Sequence, residues 1–321
     1  MSDLTDVLST SPATGELPPL SPYRDGNAGI PYVLSFAASD PGPHVLLAAI
    51  VHGNEICGAI ALDRLLRSQL RPARGRLTFA FANPEAYLRR DGGAAAPSRY
   101  LDEDMNRVWS PALLDGKGRS AELRRARQLR PVVDSADYLL DIHSMQQGDE
   151  PILLSGPLDK GRRLALALGF PSMVVSDAGH VSGTRLRDYG AFGDPGRPQN
   201  AALVECGPHD SPASTEVAIE TTLRFLEQVG SIRPRAPRRD RVRSRGPSRL
   251  IVVTQAVTAS SPRFRFTGRF SGLERIPKAG TVIAHDGEKA IATPYDDCVL
   301  VMPADRCQPG QTAVRLGRVH S

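Results

Sequence analysis

Between residues 30 and 230 the chain alternates short apolar runs with stretches of helical periodicity, and that alternation restricts the fold more than any other feature. The runs YVLSFAA (32–38), VLLAAIV (45–51), LTFAFA (77–82), YLLDIH (138–143), PILLS (151–155), SMVVS (172–176) and AALVEC (201–206) read as buried strands. Helical patterns occupy 56–69, 119–134, 158–168 and 213–229. Such alternation predicts an α/β domain around a mostly parallel mixed sheet, with ligands bound beyond the carboxyl ends of the strands. His52, Asn83, His143 and Glu205 all fall at such ends. The segment Ser39-Asp40-Pro41-Gly42-Pro43, between the first two runs, reads as the turn of a hairpin. After residue 249 the pattern changes to short strand candidates broken by Gly, Pro and Asp, which predicts a small C-terminal all-β domain.

The charge supports this division. Of a net +5, the segment RPRAPRRDRVRSRGPSR (233–249) carries +7, from eight Arg and one Asp, which leaves −2 for the remainder. With three Pro, little apolar content and no aromatic platform for bases, it reads as a solvated linker ahead of a nucleic-acid arm. The expected organisation is therefore an α/β domain over 1–232, a linker over 233–249 and a β domain over 250–321. Cys57, Cys206, Cys298 and Cys307 form no C-x-x-C pair, so neither a disulfide framework nor a thiolate zinc site is expected. The first 20 residues lack an apolar signal core and no run is long enough for a membrane span, which makes a cytoplasmic setting the expectation.

The junction HGNE (52–55) places His52 and Glu55 three apart where a strand gives way to a helix. A hydrolytic zinc site takes three protein ligands and leaves a fourth position for water. His52 and Glu55 could supply two, and His143, closing an apolar strand, the third. The motif alone is weak: His52 could be a turn histidine, Glu55 a carboxylate favoured at a helix N-terminus, and His143 a hydrogen-bonded core imidazole. Glu205 is harder to set aside, because a carboxylate inside ALVECG needs a partner or a site. Beside a metal it would be a general base. The stretch RYLDEDMNRVW (99–109) could be an ordinary surface loop, yet it concentrates guanidinium groups of the kind that clamp a carboxylate or an oxyanion.

In this order, HGNE, NPEAY, RYLDEDMNR, DIHS and VECGPH resemble the succinylglutamate desuccinylase/aspartoacylase family of the zinc carboxypeptidase superfamily. The resemblance implies a zinc-carboxypeptidase-like three-layer α/β domain with a C-terminal β domain, and one Zn2+ per chain held by His52, Glu55 and His143. It implies Glu205 as the group activating water, Arg99 polarising the scissile carbonyl, Asn106 and Arg107 binding the substrate's carboxylate, and Asp104 orienting His52. Arg197 is the nearest match to a further arginine found before the catalytic glutamate in members acting on acidic amino acids. Tyr295 is the counterpart of a tyrosine that some β domains lend to the pocket. The implied function is a zinc-dependent amidohydrolase, freeing a small N-acyl amino acid of its acyl group. A carboxypeptidase acting on short peptides and a nucleic-acid-binding protein acting through 233–249 are the alternatives, and a homo-oligomer is left open.

Overall fold

The computed structural model describes residues 17–89, 97–146, 150–180, 182–235, 246–304 and 307–320. In chain order its strands are β1 (Val33–Ala37), β2 (His44–Ala49), β3 (Arg76–Phe81), β4 (Tyr138–Met145), β5 (Ile152–Leu154), β6 (Met173–Ser176), β7 (Asn200–Pro208), β8 (Arg249–Thr258), β9 (Phe264–Phe266), β10 (Glu274–Ile276), β11 (Val282–Asp286), β12 (Lys289–Ala292), β13 (Cys298–Val301) and β14 (Thr312–His320). The helices are α1 (Ile56–Arg67), α2 (Pro84–Leu88), α3 (Pro111–Leu114), α4 (Ala121–Asp134), α5 (Asp159–Leu168) and α6 (Pro212–Gln228).

One mixed sheet of 11 strands runs in the order β1-β3-β2-β4-β7-β5-β6-β8-β14-β13-β10, and β12-β11-β9 form a separate antiparallel sheet. Alternate residues of β2 show why its sequence is apolar throughout. Val45, Leu47 and Ala49 join a core with Leu62 and Leu65 of α1 and Leu223 and Phe225 of α6. Leu46 and Ala48 face the other way, into a core with Leu123, Ala126 and Leu129 of α4 and with Trp109. The sheet is thus the middle of three layers. Each fully buried leucine in these cores contributes about 1.5–3 kcal/mol.

This layering positions the site. The chain leaves β2 through α1 on one face and leaves β3 through α4 on the other, so its connections diverge between the parallel neighbours β2 and β4. A crevice opens at the carboxyl ends of strands where connections diverge in this way. His52 follows β2, and His143 in β4 stands directly across from Glu205 in β7.

One expectation needs correction. β1 and β2 do not form a hairpin: β3 lies between them, antiparallel to β1 and parallel to β2. Residues 38–43 instead straddle the start of β3, where Ala38 N–H donates to Gly75 O and Gly75 N–H to Asp40 O. A Cβ on Gly75 would lie 2.2 Å from Pro43 O, so only glycine lets the two segments pass so closely. The C-terminal residues are all-β as read, and divide between the β12-β11-β9 sheet and the main sheet. β8 pairs in parallel with β6, and β14, β13 and β10 extend the main sheet beyond it. Of the expected 233–249 linker, residues 236–245 lie outside the described residues, while Arg235 is ion-paired with Glu220 and Glu227 of α6. No helix among the described residues is long and apolar enough to cross a membrane.

Candidate active site

The chain leaves β2 through Ile50, a buried residue with φ of 52°, a costly conformation for a β-branched side chain. Gly53 then passes so close to α2 that a Cβ there would lie 2.4 Å from Ala86 C and Tyr87 N. This tight turn brings His52 and Glu55 over the end of the sheet. His52 Nδ1 lies 2.8 Å from Glu55 Oε1, and His143 Nδ1 lies 2.6 Å from Glu55 Oε2. All three residues are buried, and one ligand atom from each fits within 4.8 Å of the others.

The far sides of both rings are held by carboxylates. Asp104 Oδ1 accepts from His52 Nε2 at 2.8 Å, and Asp141 Oδ2 is 2.9 Å from His143 Nε2, at ion-pair distance but off the hydrogen-bond direction. Both imidazoles therefore turn Nδ1 toward Glu55 and Nε2 toward an aspartate. Holding one ring nitrogen with a carboxylate fixes the tautomer that leaves the other free for a metal. The donor set thus fits a zinc ion: two imidazole nitrogens and a carboxylate, with an aspartate close to the far nitrogen of each ring. Burial works against charge on Glu55, but the two imidazoles outweigh it and hold its carboxyl well below the usual range. Burial likewise disfavours the His143 imidazolium, and Asp141 and Glu55 reverse that, so its pKa is raised.

Glu205 completes this side of the site. It is 8% exposed, and its Oε2 has no hydrogen-bond partner among the described residues. Burial pushes its carboxyl up to about 8, helped by Glu55 and opposed by His143, Arg99 and Arg185. Arg99 leans over the ligands, donating from Nη1 to Glu55 Oε1 at 3.1 Å, with Nη2 3.1 Å from His52 Nε2. Asn106 is spanned between elements: its Oδ1 accepts from Leu186 N, and its Nδ2 is 3.5 Å from His143 Nε2.

Across from the ligands stands a set of guanidinium groups that sequence reasoning did not assemble. Arg185 and Arg315 share one carboxylate, Asp177 Oδ2, at 2.6 and 2.8 Å. Arg315 comes from β14, and its Nη2 lies 2.8 Å from Nε2 of His180. Burial, with Arg185 and Arg315 beside it, pushes His180 down to about 2, so the ring is a neutral acceptor. Buried Arg185 Nη1 has no hydrogen-bond partner among the described residues. Burial, together with Arg185, Arg99 and Arg315 nearby, lowers Arg107 to about 10 against the pull of Asp104. Gly183 makes this convergence possible, since a Cβ there would lie 2.2 Å from Arg107 O.

Known proteins match on both sequence and fold. The family model for the succinylglutamate desuccinylase/aspartoacylase catalytic domain matches residues 41–178. Residues 41–178 are thus similar to that catalytic domain. The succinylglutamate desuccinylase of Pseudomonas aeruginosa (strain LESB58) is 38% identical over 105 residues, 30% of this chain and 29% of that protein. That of Pseudomonas paraeruginosa (strain DSM 24068 / PA7) is 35% identical over 127 residues, 36% of this chain and 35% of the relative. The matches thus span about a third of the curated relatives' length. Solved structures match over nearly the whole chain. The Vibrio parahaemolyticus succinylglutamate desuccinylase has TM-score 0.68 at 18% identity, covering 91% of this chain and 87% of that one. An aspartoacylase family protein from Mesorhizobium loti has TM-score 0.63 at 18% identity, covering 91% and 90%.

Set against the family resemblance, the structure gathers His52, Glu55, His143, Glu205, Arg99, Asp104, Asn106 and Arg107 at one end of the sheet. It does not bring Arg197 or Tyr295 into contact with them. Arg197 is exposed in the loop before β7, whose carbonyls at Ala191, Asp194, Arg197 and Gln199 all accept from Lys160 Nζ. That loop enters β7 at Asn200, the end of the strand opposite Pro208, so the rise of an extended strand separates it from the ligands. Tyr295 bonds Thr254 Oγ1 through its hydroxyl and stacks under Arg318, beside the C-terminal core. Asp141 could have been found: it stands two residues before His143, on the same face of an apolar strand. Arg185 and Arg315 carried no such local signal.

Proposed function

We propose that this protein is a zinc-dependent amidohydrolase that removes an acyl group from the nitrogen of a small N-acyl amino acid. The observation that carries this reading is the convergence of His52 Nδ1, His143 Nδ1 and Glu55, each ring backed by an aspartate, beside a buried carboxylate with an unpartnered oxygen. His52, Glu55 and His143 would hold the ion, which when bound supplies a Lewis acid that acidifies water and polarises a carbonyl.

The chain's own groups do the rest. Glu205 takes a proton from the attacking water and returns it to the leaving nitrogen, and its unpartnered Oε2 is the atom available for this. A cation at the neighbouring ligands favours its ionised form. Arg99 releases Glu55 and His52 and donates to the scissile carbonyl oxygen as negative charge develops there. Arg107, Arg185 and Arg315 hold the substrate's carboxylate end, away from the reacting carbonyl. Asn106, tied to Leu186 N, keeps the loop of Arg107 in register with that of Arg185.

A panel of N-acetyl, N-succinyl and N-formyl amino acids, set beside peptides of four or more residues, tests this reading by amine release. Hydrolysis of at least one acyl amino acid with negligible trimming of the peptides is expected. The reverse pattern would make the protein a carboxypeptidase.

A further inference from the structure

Glu122 sits in the first turn of α4 with 0% of its surface exposed, and among the described residues no cationic side chain pairs with it. A buried carboxylate is costly unless its oxygens are hydrogen-bonded. Here three of the four donors are backbone N–H groups of a single loop. Oε1 accepts from Leu101 N at 2.7 Å and from Asn83 Nδ2 at 3.1 Å. Oε2 accepts from Asp102 N at 3.1 Å and Glu103 N at 3.2 Å. Consecutive N–H groups converging on one anion form a nest, with the anion here supplied by the protein itself.

The helix does not need Glu122 as a cap. Ser120 already caps α4, with its Oγ accepting from Leu123 N. Glu122 turns away from the helix toward the 101–103 loop, and that loop reaches back, with Asp102 Oδ2 accepting from Ala121 N and Glu103 from the Ser120 hydroxyl. Arg99 stands two residues before the nest and Asp104 directly after it. Arg99 O also accepts from Gly53 N, and Asn83 N–H donates to Ile50 O, so both ends of the arrangement meet the turn that carries His52.

Building on the hydrolase reading, we infer that Glu122 is a positioning residue for the reaction: its carboxylate fixes the loop that sets Arg99 over the scissile carbonyl and Asp104 behind His52. Whichever oxygen is replaced in Glu122→Gln, an NH2 group then faces two N–H donors, and the loop must shift. A shift of about 1 Å at a group stabilising charge costs on the order of 10²-fold in rate.

The test is a cycle of Glu122→Gln and Arg99→Ala, with amine release from the best substrate of the acyl amino acid panel, zinc content by elemental analysis and thermal unfolding read for each variant. Glu122→Gln is expected to keep its zinc and to lose roughly 10- to 100-fold in kcat/KM, mostly in kcat. In the Arg99→Ala background the same change should cost several-fold less, because residues acting through one another are not additive. A merely structural role lowers the melting temperature and gives equal penalties in both backgrounds, and equal penalties, or unchanged kinetics, overturn the inference. If Glu122→Gln does not fold, Glu122→Asp, which keeps the charge but withdraws it by one methylene, should show a smaller loss with the same non-additivity, and equal penalties there also overturn it. Full activity in Arg99→Ala alone would remove Arg99 from the reaction and overturn this inference, whereas a wild type that releases no amine from any member of the panel would sink the hydrolase reading instead.

Discussion

The two sides of the site are built differently. On the ligand side, His52 and Glu55 lie one turn apart, and His143 and Glu205 face each other across paired strands, so the backbone of the sheet sets their spacing. On the guanidinium side, Arg107, Arg185 and Arg315 come from three remote segments and meet only because Asp177, His180 and Gly183 let them approach. His143 and Glu205 stand on strands, and His52 and Glu55 on the short turn that leaves β2. On the proposed reading, recognition of the substrate's charged end would stand on loops and on a C-terminal strand, apart from His52, Glu55 and His143.

Substitutions that separate chemistry from recognition should divide along this line. Glu205→Gln carries the largest expected effect: zinc content stays that of the wild type while kcat falls roughly 10²- to 10⁴-fold, the usual share of general-base catalysis. Single-turnover kinetics on zinc-loaded protein checks this, and near-normal turnover would remove Glu205 from the mechanism.

A smaller effect is expected on the other side. Arg315→Gln leaves zinc in place and raises KM about tenfold with little change in kcat, because a charge-assisted hydrogen bond to the substrate's carboxylate is lost while the reacting carbonyl keeps its partners. Arg197→Gln and Tyr295→Phe should change steady-state parameters least of all, their side chains having no contact with the gathered residues. A large KM effect at Tyr295 with none at Arg315 would reverse this assignment.

How much of this could be read from sequence follows from the same contrast. The strands, the four long helices and the meeting of His52, Glu55 and His143 were legible because apolar runs and local spacing encode them: the run ending at His143 lies in β4, and HGNE falls where β2 gives way to α1. Partnerships between distant segments have no local signature. Nothing in the pattern around Ser39–Pro43 states that β3 will insert between β1 and β2, and nothing in residues 249–258 states that this strand will continue the main sheet through β6. Arg315 was invisible for that reason, since its importance arises only once β14 is laid against β8 and its guanidinium reaches Asp177. Arg197 attracted attention by nearness in sequence to Glu205, although the length of β7 carries it to the wrong end of the sheet. Glu122 had the form of an ordinary first-turn helix carboxylate. Only the loop folded over it shows otherwise.

The central claim is that His52, Glu55 and His143 hold a zinc ion required for acyl amino acid hydrolysis. The most direct measurement is amine release from the N-acyl amino acid panel by purified protein, before and after removal of metal by a chelator and again after one equivalent of zinc is restored. The account predicts loss of nearly all activity on chelation and its return with zinc in the wild type, and no return in His143→Ala. Hydrolysis that survives complete removal of metal, or that zinc restores equally in His143→Ala, would contradict it.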